Sequence, residues 1–164
     1  MIIDLRLHRK IGEGVYADVF AMESKAYKLF KSGPEIPPRQ TKVGRRRVFE
    51  AQCEAFRAAF NDPWLRNHVA AFYGPCVIED VLDTEGISNK GRYLLDCCYG
   101  LELIFSEGGE HKITEVGVRE NCEHVREAIR RFNQIGIDVH DSSVFEHADA
   151  ERFKFIDIEM GDWY

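Results

Sequence analysis

No stretch of about eighteen consecutive apolar residues occurs in this 164-residue sequence, so no segment is suited to cross a membrane as a helix. The opening MIIDLRLHRK carries Asp4, Arg6 and Arg9 and lacks the apolar core of a secretory signal. The five cysteines (Cys53, Cys76, Cys97, Cys98, Cys122) are odd in number and contain no CxxC pair. That argues against a disulfide framework or a zinc knuckle and for reduced, buried thiols. A reducing cytosol is the expected compartment, although an effector injected without a cleavable signal would read the same way. Excess positive charge is missing as well. Twenty-two basic side chains against twenty-eight acidic ones give −6, which speaks against nucleic-acid or anionic-membrane binding.

What is present is ordinary globular composition, 45% hydrophobic and 30% charged, which excludes general disorder. The length suits one domain, or two lobes sharing a cleft, burying about 70% of the unfolded surface. Internal repeats and low-complexity tracts are absent. The only linker-like stretch is Ser32 to Gly44, broken by Gly33, Pro34, Pro37 and Pro38.

Before that linker, three short strands are expected: one running to Ile11, one over Tyr16–Met22 and one over Ala26–Phe30. Arg45–Phe60 reads as a helix whose stripe is Phe49, Cys53, Phe56 and Phe60. Strand-like runs follow at Val69–Tyr73, Cys76–Leu82 and Arg92–Cys98, the last two joined by a polar loop. Thr114–Gln134 is the clearest helix, with Val118, Cys122, Val125, Ile129 and Phe132 on one face and Gly136 at its stop. Val144–Phe145 and Phe153–Ile158 read as closing strands. Strands, helix, strands, helix, strands define the class as α+β.

Three places could carry chemistry. In Ile11-Gly-Glu-Gly-Val-Tyr-Ala-Asp-Val19, Gly12 and Gly14 let backbone amides approach a phosphate without Cβ obstruction. In the strand Ala26-Tyr-Lys-Leu-Phe30, alternation puts Lys28 on one face with Ala26 and Phe30, a costly place for an ammonium unless an anion meets it or the side chain snorkels out. The third is the pair Asp138 and Asp157, nineteen residues apart across an expected hairpin. Facing carboxylates of this kind hold Mg²⁺ and orient a nucleophile.

Taken in order, these pieces resemble the protein-kinase-like superfamily. The glycine loop resembles GxGxxGxV, Lys28 the lysine of VAIK, and residues 45–60 the helix behind it. Tyr93-Leu-Leu-Asp-Cys97 resembles the hinge strand that holds adenine. Asp138 to Phe145 resembles the catalytic loop, and Ile156-Asp157-Ile158 the DFG strand. The nearest layout is that of the small bacterial YrbL-type proteins, because Phe72-Tyr-Gly74, a loop, and Gly91-Arg-Tyr-Leu-Leu-Asp96 recur in it.

The resemblance implies an antiparallel lobe with one helix over residues 1–105 and a truncated helical lobe over residues 106–164. It implies ATP and Mg²⁺, a protein substrate or binding partner, and a bacterial cytoplasmic location. Gly12, Gly14 and Val19 would surround the nucleotide, and Lys28 would contact the α- and β-phosphates. Backbone near Asp96 and Cys98 would meet adenine. Asp138 would orient the substrate hydroxyl, and Asp157, with Ser143, would hold Mg²⁺.

The departures are informative. Ala17 stands in place of the third glycine, and Ser143 in place of the metal-binding Asn. The HR of HRD is absent, so counting forward from Gly136 favours Asp141, while counting back from Val144 favours Asp138. DFG is reduced to Asp157-Ile-Glu159. The helix partner of Lys28 is open. On a projection of about 100° per residue, Glu50 and Gln52 flank the aromatic stripe and Glu54 lies farther round. Geometry favours Glu50, and the resemblance favours Gln52. Past the DFG-like strand the sequence reaches Trp163-Tyr164, without an activation segment.

Two functions follow: phosphoryl transfer from ATP to a protein hydroxyl, or a catalytically inactive pseudokinase serving as an interaction module. Other chemistries have less support. His140, Asp141, Ser142 and Ser143 hold the letters of a hydrolytic triad but no GxSxG elbow, and His111, His140 and His147 lack zinc-site spacing. Arg45-Arg46-Arg47, with Arg39 and Lys42, reads as a solvated face or a docking site for an acidic partner.

Overall fold

The structure, a computed structural model, describes residues 1–33, 42–104, 110–112, 123–139, 142–146 and 153–161. The described chain is mixed α+β. It falls into two compact units, Met1–Glu50 with Phe72–Leu103, and Ala51–Ala71 with Ile104–Tyr164. The sequence-based division instead ran unbroken to residue 105. Among the described residues, no helix is long and apolar enough to cross a membrane.

The first unit is built on a five-stranded antiparallel sheet. Its strands are β2 (Arg9–Glu13), β3 (Ala17–Met22), β4 (Lys25–Lys31), β5 (Phe72–Cys76) and β7 (Tyr93–Glu102), in the order β2-β3-β4-β7-β5. Tight turns join the first three strands, and alternation gives the sheet two faces. On one face Phe20, Leu29, Tyr93 and Cys98 pack with Ile3, Ile78 and Val81. These last three come from β1 (Ile2–Asp4), β6 (Asp80–Leu82) and the segment between β5 and β6, and β1 pairs with β6 in parallel. On the other face Phe30, Phe49 and Tyr99 pack ring to ring at 5.6–6.3 Å between centroids. Each such buried side chain contributes about 1.5–3 kcal/mol relative to exposure.

Two expectations change here. Cys76–Leu82 is not one strand. Cys76 ends β5, which pairs with β7, while Asp80–Leu82 pairs with the N-terminal strand β1. Val69–Tyr73 is displaced to Phe72–Cys76, because Val69 bridges Phe155 and the Ala70 N–H goes to the Phe155 carbonyl at 3.0 Å, while a bulge at Tyr73 resets the β5 ladder between Phe72↔Leu101 and Gly74↔Gly100.

Helix α1 (Lys42–Asn61) buries Val48, Phe49, Ala51, Gln52, Cys53, Ala55, Phe56 and Ala59, but Phe60 is 49% exposed. The buried face is centred on Gln52, about 70° from the centre of the aromatic stripe. The alanines allow close approach on a side that the bulky residues do not mark.

The arginine run at the start of α1 is divided rather than uniformly solvated. Arg45 is 1% exposed and donates to the Lys31 carbonyl at 3.0 Å and, weakly, to that of Gly33 at 3.4 Å. Arg46 pairs with Asp96 on the surface, and Arg47 is exposed. Arg39 lies outside the described residues.

In the second unit, α2 (Glu123–Gln134) buries Val125, Ala128 and Phe132. Thr114–Cys122, which the periodicity assigned to the same helix, lies outside the described residues. Phe132 meets Phe155 edge-on at 4.8 Å. Strand β10 (Ser143–Glu146) lies between β11 (Phe153–Phe155) and β8 (Glu110–Lys112). Gly136 stops α2 at φ 80°, where its N–H reaches the Asn133 carbonyl at 3.2 Å. An alanine there would adopt the left-handed conformation at about 1–2 kcal/mol. Gly136→Ala is therefore expected to lower the melting temperature by about 2–8 °C, read by circular dichroism.

His68 illustrates a second constraint. Its ring stacks on Phe153 at 4.6 Å and lies 4.2 Å from Trp64, and its Nδ1 is buried without a hydrogen-bond partner. Burial holds its pKa below the ordinary 6.5, and the nearby His124 and Lys154 push the same way. The folded state thus takes up a proton on His68 less readily than the unfolded chain, which gains one below about pH 6.5. Stability tied to His68 is complete above that pH and falls as the pH drops toward the folded-state pKa. Melting curves at pH 7 and 5.5 should converge in His68→Phe. An equal pH difference in wild type and variant would contradict the assignment.

Candidate functional site

The carboxylates proposed for chemistry both lie in the second unit, Asp138 in a short ladder and Asp157 in a segment between two strands. Asp138 ends β9 (Ile137–Asp138) and pairs with Glu159 of β12 (Glu159–Met160), while Ile137 pairs with Met160. The Gly136 stop sets this register, since its carbonyl accepts the Gly161 N–H at 2.8 Å. Asp157 follows the neighbouring ladder, in the segment between β11 and β12: Val144 pairs with Phe155, and the Ile156 N–H reaches the Ser143 carbonyl at 3.1 Å. The Ser142 hydroxyl then donates to the Asp157 carbonyl. Segment 155–159 thus runs beside 142–144 and then beside 138. Asp157 is held two residues before the partner of Asp138, and both acids are half-buried.

Ser143 and Ser142 are buried at 3% exposure each. Asp141, the alternative to Asp138, lies outside the described residues, as do His140 and His147. Among the described residues no group of three or more His, Cys, Asp or Glu side chains forms a metal site. This donor set fits a cation only as Mg²⁺ is held on a nucleotide, where one or two carboxylates suffice and phosphates and water complete the octahedron. Asp157 would supply that carboxylate.

In the first unit, β2, β3 and their turn form the glycine hairpin. Gly12 pairs with Val19, and a Cβ on Gly12 would come within 3.3 Å of the Val19 side chain, so only glycine fits without displacement. The Gly14 N–H donates to the Ala17 carbonyl at 2.9 Å, and the Gly14 carbonyl accepts from the Lys31 ammonium at 2.7 Å. The turn is therefore tied down at Gly14 through both its amide and its carbonyl.

Lys28 lies opposite Val19 on β3 and Tyr99 on β7, on the face that carries Phe30, with its ammonium 5.9 Å from the Phe30 ring centroid. Of the residues weighed as its helix partner, Glu50 and Glu54 are exposed and Gln52 is buried. On the hinge-like strand, Asp96 is exposed and both its carboxylate oxygens lie 2.9 Å from the Arg46 guanidinium; that hydrogen bond lowers its pKa. Cys98 is a mid-sheet core residue, flanked by Leu29 on β4 and Cys76 on β5.

The most heavily buried charged group in this region was not singled out from sequence. Asp18 is 0% exposed. Its Oδ2 accepts the Tyr93 hydroxyl at 2.7 Å, and its Oδ1 lies 3.0 Å from the Lys31 ammonium, an ion pair without hydrogen-bond alignment. Lys10 stands 3.8 Å away. Burial, then the bond to Asp18, pushes the Tyr93 hydroxyl pKa well above its usual value, so it remains a donor. Lys31 joins this cluster to the Gly14 carbonyl and thereby anchors the glycine turn to the sheet.

No protein-family model matches this chain, and a search of curated proteins likewise returned no match.

Proposed function

We propose that this chain is a protein-kinase-like protein that binds ATP with Mg²⁺ and transfers phosphoryl groups to a protein hydroxyl. Glycine hairpin, strand lysine, helix, hinge-like strand and paired carboxylates follow one another in the superfamily's order. The single observation that carries the reading is the arrangement in the second unit. Asp138 pairs with Glu159, two residues after Asp157, and the Ser142 hydroxyl bonds the carbonyl of Asp157 in the segment between β11 and β12.

The assigned roles are specific. Lys28 neutralises the α- and β-phosphates, the hairpin of Gly12 and Gly14 covers them, and backbone near Asp96 meets the base. Asp157 holds the magnesium, which when bound would neutralise charge on the phosphates. Asp138 accepts and orients the substrate hydroxyl proton. Catalysis of this type rests on positioning and charge neutralisation rather than covalent chemistry.

One observation favours the second reading, an inactive pseudokinase acting as an interaction module. The buried face of α1 centres on Gln52, an amide, while both nearby glutamates are exposed. The position that the resemblance matches to the helix glutamate thus carries an amide rather than an acid. Radiolabelled ATP incubated with the protein and a mixed protein substrate separates the readings. Transfer by wild type that falls about 10²–10⁴-fold in Asp138→Asn supports the enzyme, on the usual scale for a lost acid–base group. Nucleotide binding without transfer supports the module.

A further inference from the structure

Strands β5 and β7 place two thiols directly opposite each other. Cys76 and Cys98 are register partners in the antiparallel ladder, so both side chains leave the same face of the sheet. Opposed residues in such a ladder have Cα atoms about 4.5 or 5.5 Å apart, inside the range of about 4.4–6.8 Å that a disulfide spans. Cys98 is fully buried in the hydrophobic cluster of that face, and Cys76 lies half-buried at its edge. The facing Cys98 thiol, with the N-terminal amine and the Lys25 ammonium nearby, lowers the Cys76 pKa against the opposing effect of burial.

The other described cysteines differ in kind. Cys53 and Cys97 are both buried. Burial pushes the Cys97 thiol up to about 11. Reactive thiols are partly exposed, close to positive charge and within reach of a second sulfur, and Cys76 alone among the described cysteines meets all three conditions.

We infer that Cys76 and Cys98 form a reversible dithiol–disulfide couple in which a hydroperoxide is the oxidant, Cys76 the attacking sulfur and Cys98 the resolving one. The Cys76 thiolate attacks one peroxide oxygen, an S–O bond forms, the O–O bond breaks, and the leaving oxygen departs as water after protonation. The Cys98 sulfur then attacks the sulfenic sulfur. The S–S bond forms, the S–O bond breaks, and the Cys98 proton leaves with the oxygen as a second water. Two thiols and one hydrogen peroxide thus give one disulfide and two waters. A dithiol reductant returns the pair by thiol–disulfide exchange. This couple stands independently of nucleotide binding.

The test treats the native full chain with equimolar hydrogen peroxide, alkylates the remaining thiols and maps unreduced tryptic peptides. Wild type should lose two alkylatable thiols and show peptide 67–90 joined to peptide 93–112, with dithiothreitol restoring both. Because the second peptide carries Cys97 and Cys98, fragment ions must assign the linked sulfur to Cys98, a reading that needs no variant. Cys97→Ser should keep the link. Cys98→Ser should lose it and leave Cys76 as a sulfenic acid that dimedone traps. A link to Cys97, a Cys76 sulfinic acid beside a still-alkylatable Cys98, or oxidation no faster in the native chain than in the denatured one would each overturn the inference.

Discussion

Replacing Asp18 by alanine is expected to destabilise the protein by about 3–5 kcal/mol, the usual cost of removing one member of a buried ion pair. For a chain of this size that corresponds to a fall of roughly 6–20 °C in melting temperature. The carboxylate is fully buried, so solvent screening does not reduce the effect. Its removal leaves the Tyr93 hydroxyl buried without its acceptor and takes from Lys31 the anion that stands 3.0 Å away. Tyr93→Phe removes one hydrogen bond and should cost less, about 1–3 kcal/mol. Asp18→Asn keeps an acceptor, loses the charge and should fall between them. Because the residues share one network, the double variant should be less destabilised than the sum of the singles, by about 0.5–3 kcal/mol. An Asp18→Ala variant that unfolds within about 0.5 kcal/mol of wild type would place the carboxylate outside the stabilising set.

The second large effect concerns nucleotide. At a hundredfold excess over its dissociation constant, a ligand that binds only the folded state adds about 2.7 kcal/mol of stability. Mg²⁺-ATP should therefore raise the wild-type melting temperature by roughly 5–11 °C. Lys28→Ala should abolish that rise while leaving the unliganded melting temperature within a few degrees of wild type. Asp157→Ala should behave differently: the shift with ATP in EDTA should match wild type, and the increment from Mg²⁺ should vanish. A variant that loses both increments equally would mean that Asp157 acts on the fold rather than on the cation. Asp18→Ala should also weaken nucleotide binding, because Lys31, having lost its nearer anion, is the group that holds the Gly14 carbonyl.

Local signals made a good part of this fold legible. Alternation and tight turns located β3 and β4 to within a residue or so, and Gly136 marked the end of α2 because a positive φ favours glycine. Non-local pairing was not legible: nothing in residues 2–4 announces a parallel partner at 80–82. The bulge at Tyr73 fixes which residues of β5 face β7, and with it the apposition of Cys76 and Cys98. A one-residue slip would have sent those thiols to opposite faces.

Helix α1 was misread in its facing because the bulky residues drew attention away from Ala51, Ala55 and Ala59, which let its neighbours approach. Asp18 could have been found. The alternation that singled out Lys28 also sets Asp18 beside Phe20 on a buried face, where an acid requires partners as much as an ammonium does. Those partners, Lys31 and Tyr93, are 13 and 75 residues away, and only the folded sheet brings them together.

The most direct test is a thermal titration of the intact wild-type chain with ATP, in Mg²⁺ and in EDTA, with Lys28→Ala and Asp157→Ala measured alongside. The account expects a concentration-dependent rise in wild type that is larger with Mg²⁺, absent in Lys28→Ala, and insensitive to metal in Asp157→Ala. A wild-type melting temperature unmoved by millimolar ATP and Mg²⁺ would contradict it.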